Sequence, residues 1–548
     1  MKNKKWMGAG LAITMAAVTL IGCSNGDKEP AKGADTGKLD VKQEITLPIT
    51  GDIPSMDISK ATDDIAFTIQ AAVNEGLTRL DKNGKAQPGM ATDWDVSDDG
   101  LTYTFKLRDA KWANGEPVTA KDFVYSWKRT LDPKTKASYS FMVAWIKGGE
   151  AYNTEKGSAD DVAVKAVDDK TLEVTLAHPV PFFVEQMAFP VFFPQNQKFV
   201  EAAGDKYSTE ADKLLANGPF KMSEWAHEQS ATLVKNDQYW DKDKVKLTKA
   251  TFQVVKDSTA AVNLYESGEL DRTIGLVRDQ VESYKDSKEF SVEAELTAGY
   301  VMYNQRVPAL TNAKIRQALT YAIDAEAYAD VVYHNGSKAA TGIVPNGVNV
   351  KDGEYRQIAG DLVGRKDNAA KAKDLLAEGL KEAGLTEFPK IKLTANDDDT
   401  NKKGAEFVQE QWRSKLGIEV EVETLPFKLR LDRARKHDFD LMLAVWGADY
   451  NDPMTFLDLW MSDSGFNYPS WKNADYDKLI KQAQAEPDAK KRTSLMVDAE
   501  KLLMKEMPIG PTFFRGQAYL TKSHVKNWQT SVFGPDYDLK ETYIQGKE

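Results

Sequence analysis

Phe439–Phe456 reads FDLMLAVWGADYNDPMTF, and the reading of this stretch decides the fold. In an extended chain Phe439, Leu441, Leu443 and Val445 share one face, and Met442 and Ala444 the other. Apolar residues on both faces indicate a strand covered on both sides, as in a parallel sheet. Gly447 then breaks the strand, and Asp449 follows past Ala448. In open α/β sheets ligands bind beyond the carboxyl ends of strands. An acid there, beside Trp446 and Tyr450, is a site candidate, and Gly447 lets a second backbone come close. The competing reading makes Asp449 an Asx turn in ADYNDP that caps the next helix.

Working outward, Ile391–Thr394 reads as a strand, and Lys402–Leu416 as a helix with Phe407, Trp412 and Leu416 inward. Ile418–Val422 reads as a strand and Lys428–Arg435 as a helix. Strand–helix–strand–helix–strand predicts parallel units with right-handed crossovers, with Asp449 at the mouth of a doubly wound lobe. Downstream, a helix over Ala489–Met507 is stopped by Pro508, and Pro511–Tyr519 is strand-like. Upstream, Glu44–Ile49 is a strand, Lys82-Asn83-Gly84 a hairpin turn, and Leu101–Leu107 (LTYTFKL) a half-buried strand. Asn114-Gly115 is a turn. Thr119, with Asp122 three residues on, caps a helix carrying Phe123, Trp127 and Leu131.

A chain of 548 residues is too long for a single core, so two or more lobes are expected. A net charge of −11 argues against nucleic acid as partner. The 12 Trp, 20 Tyr and 22 Phe suffice to line a large cleft as well as fill cores. The only cysteine is Cys23, so neither a disulfide nor a thiolate metal site is expected in the fold. Lys2, Lys4 and Lys5 precede an apolar Met7–Leu20, followed by Leu20-Ile21-Gly22-Cys23. This is the layout of a secretory signal ending in a lipobox, with Cys23 lipidated as the mature N-terminus. The alternative is an ordinary signal peptide cleaved nearby. Ser24–Asp40 has one large aliphatic, Leu39, and reads as a tether.

Arg108–Pro133 (RDAKWANGEPVTAKDFVYSWKRTLDP) resembles the signature of the extracellular peptide-binding proteins of ABC importers, the oligopeptide and dipeptide class. Further matches follow in that family's order: Thr171–Pro181, Asn217–Phe220 (NGPF), Lys235–Trp240 (KNDQYW), Tyr303–Gln305 and Ile315–Ala325. Trp446–Phe456 matches the segment that grips the peptide N-terminus in oligopeptide-binding members. The resemblance covers residues 41–548. It implies an α/β, two-lobed, periplasmic-binding-protein-like type II fold with an extra third domain and discontinuous lobes. The expected division is a signal peptide 1–22, lipidated Cys23 and tether 23–40, and lobe I from 41–75, 191–298 and 515–548. An extra domain II spans 76–190, and lobe III, carrying the clamp, 299–514.

The resemblance implies that Asp449 binds the peptide α-amine, where a charge-assisted bond contributes about 1.5–3 kcal/mol. The peptide backbone is then held as an added strand between Val445-Trp446-Gly447 and Ala61-Thr62-Asp63. Phe427 and Trp446 are the implied aromatic walls, with core packing as the alternative for each. Three positions depart from the best-known oligopeptide members: Phe427 replaces a second tryptophan, Asn401 a basic residue, and Arg515 an aromatic. Arg433, Arg435, Lys402 and Arg515 are candidate partners for the peptide C-terminus, or simply solvated charges.

The chain has no H-E-x-x-H, G-x-S-x-G, Walker or G-x-G-x-x-G motif, and its five histidines are scattered. No enzyme, cofactor or metal is expected. The expected protein is a monomeric, lipid-anchored receptor on the outer face of the cell membrane that delivers oligopeptides to ABC permease subunits. The alternative of the same fold is a dedicated receptor for an apolar peptide pheromone.

Overall fold

A computed structural model describes residue 39 and residues 42–547, apart from 83 and 532. The signal segment, Cys23, all but Leu39 of the tether, and Asn83 of the expected turn lie outside the described residues.

In chain order the elements that position the site are β1 (Glu44–Ile49), α1 (Asp64–Val73), β2 (Ala91–Val96), β3 (Thr102–Leu107), α2 (Ala120–Leu131), β4 (Val164–Asp168) and β5 (Thr171–Thr175). Next come β6 (Phe220–Ala226), β7 (Ser230–Lys235), β8 (Lys249–Val254), β9 (Phe290–Tyr303) and β10 (Lys338–Ala339). The last group is β11 (Ile391–Asn396), α3 (Asp399–Leu416), β12 (Val420–Leu425), α4 (Phe427–Arg435), β13 (Leu441–Gly447), α5 (Ala489–Glu506) and β14 (Ile509–Leu520).

These strands form three sheets. One runs β1-β8-β7-β6, a second β2-β3-β5-β4, and a six-stranded third β10-β14-β9-β13-β11-β12. Local chemistry sets the ends of the elements. The Thr119 backbone N–H donates to the Asp122 carboxylate at 2.8 Å, closing the expected capping box of α2. Gly417 ends α3 in the left-handed region (φ 70). Met507 takes the same conformation (φ 53) before Pro508, which cannot continue the helix. Trp412 of α3 is fully buried, and its indole N–H donates to the Leu319 carbonyl at 2.8 Å.

Two long strands, β9 and β14, connect the sheets. β9 is half-exposed over Phe290–Glu295 and buried without interruption from Leu296 to Tyr303. Its first part pairs with Gly516–Leu520 and its second with Ile509–Phe514, across an irregularity between Ala294 and Ala298. At the far end Thr273 N–H donates to the Leu520 carbonyl (3.0 Å) and Asp271 N–H to the Thr46 carbonyl (2.9 Å). β9 and β14 therefore run from the six-stranded sheet to the sheet of β1.

The parallel units are present: β11 pairs in parallel with both β12 and β13. On its other side β13 is antiparallel to β9, so the sheet as a whole is mixed. Gly447 does not break the strand; it is the last residue of β13, opposite Thr297. Cover on both faces holds only for Leu441–Leu443, and Val445 is 43% exposed. β11 pairs with Leu441 and Met442 alone and then departs, so the rest of β13 also has an open edge on that side.

Candidate functional site

Asp449 follows directly on β13 and Ala448, whose N–H donates back to the Leu296 carbonyl at 2.8 Å. That bond turns the chain inward, and Asp449 is only 5% exposed. The Tyr139 hydroxyl donates to Asp449 Oδ1 at 2.9 Å. Gln186 Nε2 donates to its backbone carbonyl at 3.1 Å, and its own N–H donates to Thr455 Oγ1 at 3.1 Å. Among the described residues no cation pairs with the carboxylate. Burial pushes its pKa up to about 7, partly offset by the Tyr139 bond. Nearby Asp458, which accepts from the Tyr450 hydroxyl at 3.3 Å, is pushed to about 8 by burial and by the charge of Asp449.

Asp449 does not cap the following helix. Asp452 lies closer to it: its Oδ1 accepts from Met454 N–H at 3.0 Å while Arg492 holds both its oxygens at 2.7 and 2.8 Å. Two acids three residues apart thus have opposite environments, one neutralised by a buried arginine and one left without a counter-charge. A buried carboxylate lacking a cation has the charge and the dry surroundings that an ammonium group would complement.

Aromatic rings pack about the segment that carries this carboxylate. Phe182 stacks on Tyr450 with centroids 4.2 Å apart, and Trp145 meets Tyr450 edge-on at 5.7 Å. Trp446 packs on Phe466 at 5.0 Å, and Phe466 on Phe141 at 5.6 Å. Tyr139, Phe141, Trp145, Phe182 and Gln186 all come from the chain around the β2-β3-β5-β4 sheet. Sequence reasoning missed them. No local pattern distinguishes them from core aromatics; only their approach to a segment some 300 residues away, such as the 310 that separate Tyr139 from Asp449, gives them a role.

The open edge of β13 is the second feature. Leu443–Gly447 pair with β9 on one side, while on the other no strand among the described residues continues past Met442. An extended chain laid there meets unpaired backbone groups. The other expected wall, Ala61-Thr62-Asp63, leads into α1. Asp63 is extended (φ −140, ψ 155), and its Oδ1 accepts from Ala66 N–H at 2.9 Å. Its Oδ2 is buried without a partner, and burial raises its pKa to about 7. Tyr139 connects the two walls: it bonds Asp449, feels the charge of Asp63 and packs edge-on against Phe67 of α1 at 5.6 Å.

The remaining expected residues are placed elsewhere or are already engaged. Asn401 sits in the first turn of α3, where its Nδ2 donates to the N-cap Asp398 at 2.7 Å. Arg515 pairs with Glu295 at 3.0 Å, Arg433 with Glu423 at 2.8 Å and Arg435 with Asp432 at 3.4 Å. Lys402 is exposed. Phe427 is 49% exposed at the start of α4, and the half-buried Trp446 carries an indole N–H with no acceptor. Among the described residues no cluster of acids, histidines or cysteines is placed to hold a metal, and no helix is long and apolar enough to cross a membrane.

Residues 85–468 match the model of the bacterial extracellular solute-binding proteins, family 5 Middle. The chain is 38% identical over 526 residues to the dipeptide-binding protein DppE of Bacillus subtilis, covering 95% of this chain and 96% of that one. Its fold superposes on Listeria monocytogenes OppA bound to peptide with a TM-score of 0.86 at 39% identity, covering 93% of this chain and all of the other. The pheromone receptor PrgZ, a structure that describes its mode of peptide binding, gives 0.86 at 33% identity over 92% of this chain and all of the other.

Proposed function

The chain belongs to the bacterial extracellular solute-binding proteins of family 5, and on that premise we propose that it captures oligopeptides in the cleft between its lobes and passes them to an ABC permease. Asp449 holds the peptide α-amine, with Tyr139 orienting the carboxylate. The peptide backbone adds to the open edge at Val445-Trp446-Gly447 and runs opposite Ala61-Thr62-Asp63. Ala448 and Tyr450 shape the amine pocket, and Phe427 and Trp446 flank a side-chain pocket. The single observation that carries this reading is the buried Asp449 carboxylate with no cation of its own.

The lobes follow the division 41–75 with 191–298 and 515–548, then 76–190, then 299–514, hinged on β9 and β14. Capture is binding without turnover. The protein acts as a monomer held to the outer face of the membrane by lipid on Cys23, with its tether giving reach to the permease.

The test is calorimetry on ligand-stripped protein with a small peptide panel, each peptide N-terminally free or acetylated, against wild type and Asp449→Asn. Free-amine peptides bind, and acetylation or the substitution each weakens binding by roughly 2 kcal/mol or more, because a buried charge loses its partner. Applying both together adds little. Equal binding of free and acetylated peptides would falsify the amine assignment.

A further inference from the structure

Five arginines are buried among the described residues: Arg272, Arg316, Arg356, Arg430 and Arg492. Four have a carboxylate or several carbonyls against the guanidinium. Arg356 pairs with Glu500, Arg492 with Asp452 and Arg272 with Glu293, each at 2.7–2.8 Å. Arg316 donates to the backbone carbonyls of Leu310, Thr311, Glu506 and Met507. Arg430 is the exception. It is 5% exposed, yet its Nε donates only to the neutral Asn396 Oδ1 at 2.6 Å and its Nη1 only to the Met442 sulfur at 3.5 Å. Among the described residues no carboxylate pairs with it. Asp398 acts on it at a distance and is itself engaged as the N-cap of α3. Burial lowers its pKa, as for a cation without a counter-charge. A guanidinium offers five N–H donors, and leaving a buried one without an anion is costly unless something else supplies it.

Its position says what supplies it. Asn396 is the last residue of β11, and Met442 is the last residue of β13 that β11 pairs with. Arg430 therefore sits where the two strands part and the open edge of β13 begins. Its guanidinium carbon lies 5.4 Å from the centre of the exposed Phe427 ring. Met442, Ala444 and Trp446 share one face of β13. Trp446 contributes there a buried indole N–H with no acceptor. A guanidinium without an anion and an indole N–H without an acceptor thus lie along the same edge of β13.

We infer that the Arg430 guanidinium receives a carboxylate of the captured ligand, and that this pocket makes the protein selective for it. The inference rests on the peptide-capture reading. With the amine at Asp449, a chain along Leu443–Gly447 must run toward Met442, seven residues away, or roughly 23 Å at about 3.3 Å per residue. The carboxylate is either the C-terminus of a peptide of about that reach or an Asp or Glu side chain nearer the amine.

Calorimetry at pH 7.5 distinguishes the two sources. One arm uses peptides of graded length with a free or amidated C-terminus. The other uses C-terminally amidated peptides carrying Glu or Gln at each internal position in turn. In one arm the carboxylate form binds about tenfold tighter or more than its amide, as a charge-assisted bond in a dry site requires. Arg430→Met removes the preference and leaves the affinity for the amide form nearly unchanged. Arg430→Lys, which keeps the charge should the Met variant fold poorly, retains part of it. Equal binding of acid and amide by the wild type in both arms overturns the inference while leaving amine capture intact. Loss of all peptide binding overturns the capture reading and this inference with it.

Discussion

The Tyr139 hydroxyl donates to Asp449 Oδ1 across 2.9 Å, joining residues 310 apart in the sequence. The bond favours the ionised carboxylate while burial opposes it, and the balance leaves the pKa near 7. An amine binds only to the ionised form. Occupancy by an ammonium group lowers the carboxyl pKa below its value in the free protein. Affinity is therefore complete above pH 7 and falls as pH drops below it, by about tenfold per pH unit until the bound-state pKa is reached. Above about pH 8 the peptide α-amine loses its proton, so affinity for a dipeptide or longer peptide peaks near pH 7.5. Tyr139→Phe removes a bond that favours ionisation and should move the acidic limb upward by about half to one pH unit. Calorimetric titration from pH 5.5 to 9 with the two proteins checks both statements; a flat acidic limb would exclude Asp449 as the amine partner.

Asp449 also costs the unliganded protein stability. Its carboxyl is raised from 3.8 to about 7 by burial. A folded-state pKa above the unfolded one contributes stability that is complete below pH 3.8 and is lost as pH rises through 7. Asp449→Asn has no such loss. At pH 8, without ligand, it should be more stable than wild type by on the order of 2 kcal/mol, the gap closing toward pH 4. Urea midpoints at the two pH values measure this. A variant that binds worse and folds better separates a functional acid from a structural one.

Arg356 and Glu500 form a buried bidentate pair at 2.8 and 2.7 Å, and Glu500 Oε1 also accepts from the N–H groups of Ile343 and Val344. Arg356→Met leaves that acid uncompensated and should cost about 3–5 kcal/mol in urea unfolding. Replacing Glu500 by Gln as well should recover part of the loss, since an amide still accepts from the two N–H groups.

The Asn217-Gly218-Pro219-Phe220 motif is a clasp. Asn217 Oδ1 accepts from Glu75 N–H at 3.0 Å, and its Nδ2 donates to the Glu75 carbonyl at 2.9 Å. A Cβ on Gly218 would lie 2.7–2.8 Å from backbone atoms of Val73 and Asn74. Backbone cannot yield as a side chain does, so Gly218→Ala should destabilise by about 1–3 kcal/mol. Because the clasp lies just after α1, at the opposite end of that helix from the Ala61-Thr62-Asp63 wall, its loss should weaken peptide binding far less than Asp449→Asn does.

What was legible in the sequence was what short-range periodicity encodes. The alternation from Ile391 to Gly447 identified β11, α3, β12, α4 and β13 to within a few residues, because a strand or helix announces itself over four to fifteen positions. The same stretch placed Asp449 past the end of a covered strand, and Thr119 with Asp122 fixed the start of α2. The family matches placed the chain among peptide-binding relatives.

Other properties depend on which distant groups meet, and no local pattern carries them. β13 is antiparallel to β9 because a strand some 150 positions upstream returns beside it. Asn401 and Arg515 looked available, but Asp398 and Glu295 already occupy them. Tyr139 is an ordinary aromatic until folding sets it on Asp449. Arg430 reads as one more charge on a polar helix until packing buries it against Asn396 and Met442 with no acid beside it. The sequence by itself determined which segments are strands and helices, since that follows from the spacing of apolar residues, and it set Asp449 just past a strand with its role open between a ligand site and a helix cap. Only the tertiary structure decided which charges are paired, because pairing is set by distances between elements, and those distances exist only once the chain has folded.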